Sequence, residues 1–276
     1  MLACVLIAEL ITALAISAHP APQRRGETAA QTRGAETMLI VGDRAVRLIN
    51  RGGSSTDGLL SRVAANLPAA ISAVVGFWGT DWSREVIIAA TDSDEQFRAA
   101  AADDPASQRA DIAAVTVAQR VDFGRRTVVG ARIVLAPGAD AMSPGALRIV
   151  LTHELFHYAA RADTAADAPR WLTEGVADFV ARPQRAVPAA ARSTLLFLPS
   201  DAELDSDEPE LSLAYDRAWW FARFVADTYG AAKLHELYVS ACGVRHAEVA
   251  TAVRDVLGID SARLLTRWQQ WAAERA

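Results

Sequence analysis

Two cysteines, Cys4 and Cys242, are all that 276 residues offer, so no disulfide framework is available to staple the fold. Lysine is nearly absent as well. Lys233 stands alone among 28 basic residues, and against 33 acids the net charge is −5, which leaves no basic surplus to draw the chain to nucleic acid. No solenoid period repeats along the chain. The hydrophobic share of 51% and charged share of 22% exclude a largely disordered protein.

An apolar run opens the chain, where Leu2 to Ala18 reads "LACVLIAELITALAISA". The run ends in small residues before His19 and Pro20, like the apolar region and cleavage site of a secretory signal. No Lys or Arg precedes it, however, and Glu9 interrupts it. Its length is marginal for a membrane span, which needs roughly 20 residues. Residues 1–18 are read as a signal peptide or a membrane anchor that tethers the chain through residues 2–18. Either places the protein outside the cell or at its envelope; a mis-assigned start would leave it cytoplasmic. Residues 19–37 carry Pro, Gly, Gln and charges without an apolar period and read as a flexible linker. The folded domain is expected over 38–276.

Short β-branched runs bounded by Gly, Asp or Pro predict strands at Met38 to Val41, Ala45 to Asn50, Glu85 to Ala90, Ile112 to Ala118 and Ala131 to Pro137. Helices are expected at Leu59 to Val75, broken or started by Pro68, and at Glu95 to Ala102. Beyond Pro137 everything reads as helix. Ser143-Pro144 supplies an N-cap and a first-turn proline for a helix running to about Ala162. A second helix starts at Pro169, and four more follow at Ser212 to Tyr229, Ala231 to Ala241, His246 to Leu257 and Ser261 to Ala273. The fold class is therefore α+β: a small mixed sheet in the amino-terminal half, then a helical carboxy-terminal half.

The first of these helices contains "LTHELFHYAA", Leu151 to Ala160. Residues four apart share a helix face, so His153 and His157 can grip one ion, and Glu154 projects about 100° further round. The pattern is H-E-x-x-H, in which zinc takes the imidazoles and the glutamate serves as general base. With five histidines and thirteen glutamates it would arise by chance in roughly one such chain in a few hundred. It therefore needs a third ligand. "PRWLTEGVADFV", Pro169 to Val180, supplies Glu174 on the next helix, far enough along for the chain to turn and cross back. Asp178 lies one turn on, able to accept the free N–H of a ligating histidine. Two acids among Trp171, Leu172, Val176 and Phe179 are costly unless paired.

His153-Glu154-x-x-His157 followed by Trp171-Leu172-x-Glu174-Gly175-x-Ala177-Asp178 resembles the gluzincin branch of zinc metallopeptidases, of the thermolysin-like or peptidase MA-like kind. The resemblance covers about thirty residues. It implies a zincin-like fold with Zn2+ on His153, His157 and Glu174, Glu154 as general base and Asp178 supporting a histidine. It also implies that the strand before the active helix, Ala131 to Leu135, offers an edge to an extended peptide or protein substrate. No histidine follows at the metzincin spacing, and the glycine-rich exopeptidase motif is absent. A residue facing the oxyanion is sought on a later helix. Tyr215 is the first candidate, His235 and His246 the others, with His235 read as a surface residue and His246 as a cap-region residue. Trp219, Trp220, Phe221 and Phe224 follow one helix and read as core. The acidic stretch Asp201 to Glu210 reads as a solvated loop, with a lid as the alternative. A different class remains open, an inactive zinc-binding scaffold for peptides or envelope partners, as does an inhibitory or assembly module.

Overall fold

A tight turn starts the architecture. In the computed structural model, which describes residues 36–101, 112–188, 194–206 and 209–275, β1 (Glu36–Val41) and β2 (Arg44–Asn50) pair antiparallel around Gly42 and Asp43. Gly42 has φ +61°, the left-handed conformation that such short turns require. The leader expected at residues 1–18, and nearly all of the expected linker, lie outside the described residues.

Helix α1 (Asp57–Trp78) then carries the chain to β3 (Glu85–Ala90), parallel to β2. The helix does not break at Pro68. Its apolar stripe of Leu59, Val63, Leu67, Ala70, Ile71 and Val74 runs past the proline, which stays exposed. A mid-helix proline costs about 3 kcal/mol. One buried Leu, Ile or Val returns about 1.5–3 kcal/mol, so the stripe prevails.

Helix α2 (Asp94–Ala100), capped by Ser93, leads towards β4 (Ala114–Val117). A two-stranded ribbon of β5 (Arg120–Asp122) and β6 (Thr127–Val129), unforeseen from the sequence, precedes β7 (Arg132–Leu135). The sheet order is β1-β2-β3-β7-β4, with β3 and β7 parallel and β7 and β4 antiparallel. Strand β7 is thus an interior strand, and Ala131 to Leu135 offers no free edge. The residues following the ribbon return between β3 and β4, a long-range pairing that local periodicity does not encode. Among the described residues, β4 is the edge strand on that side.

The alternation along β4 divides the two layers. Val115 and Val117 join Phe97, Ala100 and Val134 on the α2 side, while Ala114 belongs to the main core with Ile88, Ile133 and Leu135. That core runs from β2 to the last helix. Helix α3 (Pro144–Ala160) follows β7, its first turn closed by the Ser143 hydroxyl accepting from Ala146 N–H. Then come α4 (Arg170–Ala181), α5 (Glu210–Tyr229), α6 (Ala231–Cys242), α7 (Val249–Leu257) and α8 (Ser261–Glu274). The molecule is α+β, a mixed sheet followed by a helical half. Trp219, Trp220, Phe221 and Phe224 are buried core, as expected.

The described part of the acidic stretch is a structured turn and not a solvated loop. A 3-10 turn, Asp201–Asp205, packs against the start of α4. Asp201 accepts from the Trp171 N–H at 2.8 Å, Asp205 pairs with Arg170 at 2.9 Å, and Glu203 pairs with the buried Arg217. Helix α4 has no side-chain cap of its own, and an acid at a helix amino terminus satisfies both the orphan N–H groups and the dipole. Asp201 is thus a capping group supplied from a distance, and Asp205 and Glu203 pair with arginines.

Candidate metal centre

Helices α3 and α4 cross so that one face of each meets the other. His153 and His157 stand one turn apart on α3, and their Nε2 atoms lie 3.0 Å apart. Glu174 enters from α4, with Oε2 at 3.1 Å from His153 Nε2 and Oε1 at 3.4 Å from His157 Nε2. Helix α4 lies against α5 through Gly175, where an added Cβ would sit 2.5 Å from the Ala218 carbonyl oxygen. Only glycine permits that approach.

His153 Nδ1 faces Asp178 Oδ1 at 3.0 Å. An ionised carboxylate can only accept, so Nδ1 carries a proton. In the neutral ring Nε2 is then a lone pair, and it points at a second acceptor, the Glu174 carboxylate. Two acceptors facing each other in a buried cluster need a cation or an extra proton between them. Without a metal the proton is what the site takes. Burial alone would lower the His153 pKa, but the hydrogen bonds and charges of Asp178 and Glu174 outweigh it and hold the imidazolium well above its usual value. Burial would likewise raise the Glu174 carboxyl, yet the His157 charge and the hydrogen bonds from both histidines hold it far below the carboxylate range. Asp178 is also lowered, burial being outweighed by the Arg182 charge and by His153.

The donor set fits zinc. Two imidazole nitrogens and one carboxylate form the usual catalytic triplet, and bonds of about 2.0–2.2 Å at tetrahedral angles would set the donors about 3.3 Å apart. The separations here are 3.0, 3.1 and 3.4 Å. Among the described residues, His153, His157 and Glu174 are the group whose ligand atoms lie close enough to share an ion.

Glu154 turns towards the sheet and is 9% exposed. Its Oε2 accepts from the Thr116 hydroxyl at 2.6 Å, while the same hydroxyl lies 2.9 Å from the Glu154 carbonyl oxygen. Thr116 sits on the edge strand β4, and nothing in the sequence near it marks it out. Behind His157, Phe156 packs on Phe77 and Trp78, and Phe77 on Phe179, walling that side with aromatic rings.

The structure brings His153, His157, Glu174 and Asp178 together. Tyr215 is half-buried on α5 against the main core, beside Asp216, which reaches Arg182. His235 is not a surface residue. It lies half-buried with its ring 4.9 Å from Trp78 and 5.8 Å from Phe77, because the start of α6 packs on the end of α1. His246 precedes α7 with Nε2 3.3 Å from Asp167.

A solved structure resembles this one. It is a two-domain M1 zinc metallopeptidase crystallised with L-arginine, matched at a TM-score of 0.45 and 14% identity over 88% of this chain and 52% of that one. The present chain thus spans about half the length of that protein. No family model matches the sequence, and comparison with curated proteins finds no relative.

Proposed function

We propose that this chain is a zinc-dependent peptidase of the gluzincin kind, acting on an extended peptide or protein segment. The observation that carries the reading is the convergence of His153, His157 and Glu174 to 3.0–3.4 Å, with Glu154 next in sequence on the same helix. His153, His157 and Glu174 would hold zinc, which when bound would supply a Lewis acid and a water of pKa lowered towards about 7. Glu154 takes the proton of the attacking water and returns it to the leaving amine. Thr116 holds Oε2 of that carboxylate, which leaves Oε1 without a hydrogen-bond partner among the described residues to handle the proton. Asp178 keeps His153 in the tautomer that presents a lone pair to the metal. Tyr215 is the proposed donor to the developing oxyanion.

Substrate binding follows from the sheet order. Among the described residues strand β4 is the edge beside α3, and its Thr116 touches the proposed base. An extended peptide adding to this edge through backbone hydrogen bonds would bring a scissile carbonyl towards α3. On this reading residues 1–18 deliver the enzyme to the envelope or beyond it.

The test is cleavage of a mixed peptide library by the purified, zinc-supplemented protein and by its Glu154→Gln variant. The native protein is expected to cleave. The variant is expected to retain one zinc and to lose activity by about 10²–10⁴-fold. Zinc binding by the native protein without cleavage would favour the scaffold reading. Cleavage that survives the substitution would mean that another group is the base.

A further inference from the structure

The carboxylate that orients His153 is itself held in place. Asp178 accepts at Oδ1 from His153 Nδ1 and at Oδ2 from Arg182 Nη1, each at 3.0 Å, Arg182 being the residue that ends α4. The other arm of the same guanidinium, Nη2, donates to Asp216 Oδ1 on α5 at 2.7 Å. The guanidinium carbon lies 3.8 Å from the centroid of the Trp219 ring. All of this is inside the protein: the side chains of Arg182, Asp178 and Asp216 are 3%, 9% and 5% exposed.

We propose that Arg182 is a positioning residue of the metal centre. It fixes the Asp178 carboxylate, which fixes the His153 ring, so that losing Arg182 loosens the metal although no ligand is removed. The proposal rests on the reading of the site as a metal centre. A planar fork is what the geometry uses. One arm goes to each carboxylate and the flat face to the indole, an arrangement that a lysine ammonium cannot reproduce. With Arg182 in place, Asp178 cannot rotate its Oδ1 away from His153 without abandoning a buried charge-assisted hydrogen bond.

Arg223 provides an internal control. It too is buried, lies over the Trp219 and Trp271 rings, and donates to the Arg185 carbonyl. It shares the Trp219 ring with Arg182, but its hydrogen bond goes to the connection after α4 and it has none to Asp178. Zinc affinity is measured by competition with a chelating dye on the native protein, Arg182→Met, Arg182→Lys and Arg223→Met. The visible spectrum of each cobalt-loaded form and the melting temperature of each metal-free form are recorded alongside. Arg182→Met is expected to weaken zinc about tenfold and to alter the cobalt bands, at the lower end of what direct partners of ligands cost. Arg182→Lys is expected to lie between Arg182→Met and native. Arg223→Met is expected to bind within about twofold of native, even where its melting temperature falls as far.

A folded Arg182→Met protein with native zinc affinity would overturn the proposal. So would an equal loss of affinity in Arg223→Met. Where Arg182→Met does not fold, Arg182→Lys decides, and native affinity in that variant overturns the assignment. A native protein that takes up no zinc would overturn the metal reading together with this proposal, a result distinct from tight native binding with no difference among variants.

Discussion

The two halves of the molecule treat charge differently. In the sheet half, arginines meet acids at the surface: Arg47 with Glu36 and Glu85, Arg84 with Asp43, and Arg126 of the β5-β6 ribbon with Asp81 and Asp163. Arg44 is buried over Trp82, but its partner Asp43 remains largely solvated. In the helical half, Asp178, Arg182 and Asp216 form a fully buried relay that ends on His153. Exposed pairs contribute little, typically under about 1 kcal/mol. Buried pairs carry a desolvation cost that an apolar core would avoid. The sheet half is held by its alternating strands, and its charges are incidental to that. The helical half accepts buried charge, at Arg217 and Arg223 as well as in the relay, and the relay is the part that reaches the site.

That contrast can be broken by substitution. The largest effect is expected from Asp216→Ala, which strips the buried guanidinium of one partner and should cost about 3–5 kcal/mol in denaturant unfolding. A loss below about 1 kcal/mol would mean that the relay is energetically no different from the surface pairs.

Metal removal comes next. Zinc at a hundredfold excess over its dissociation constant should raise stability by about 2.7 kcal/mol. The gain should depend on pH. In the metal-free protein the raised His153 pKa contributes stability that is complete below the unfolded value of about 6.5 and is lost as pH rises through the folded value. The depressed Glu174 and Asp178 carboxyls contribute above their unfolded values near 4 and lose that contribution in acid. The melting temperatures of zinc-loaded and zinc-free protein should therefore diverge as pH rises above about 6.5, where the metal-free protein begins to lose the contribution of the raised His153. Parallel curves would contradict the site's electrostatics.

Gly175→Ala is expected to cost about 1–3 kcal/mol, because the added methyl meets the Ala218 carbonyl and pushes α4 from α5. It should also weaken zinc, since Glu174 rides on the same turn. Smallest is Arg47→Ala, expected to leave the denaturant midpoint almost unmoved and zinc binding unchanged. An effect on zinc there would show that the halves are coupled more tightly than their charge patterns imply.

The legible parts of this molecule are those written in short-range spacing. Ser143-Pro144 announces the start of α3, the four-residue interval of His153 and His157 places both on one face, and the repeat of that interval in Glu174 and Asp178 marks the opposing helix. Sheet order is not written that way. The β5-β6 ribbon has strands of three residues with exposed charges, too short to show a period, and it carries the chain back so that β7 becomes interior. The free edge therefore moved to β4, taking with it Thr116, which touches Glu154 only because of that pairing. Arg182 did leave a trace, four residues after Asp178 in an apolar helix, but its second partner is 34 residues further on. The acids of Asp201 to Asp205 look solvated in sequence because their partners, the α4 amino terminus and Arg217, are distant along the chain.

The central claim is that two crossing helices focus His153, His157 and Glu174 on one divalent ion. X-ray absorption at the zinc edge of the purified protein tests it most directly. The expected result is one zinc per chain with two imidazole nitrogens at about 2.0–2.1 Å and carboxylate or water oxygens at about 2.0–2.2 Å. A protein that retains no zinc, or a zinc whose shell lacks two imidazoles, would contradict it.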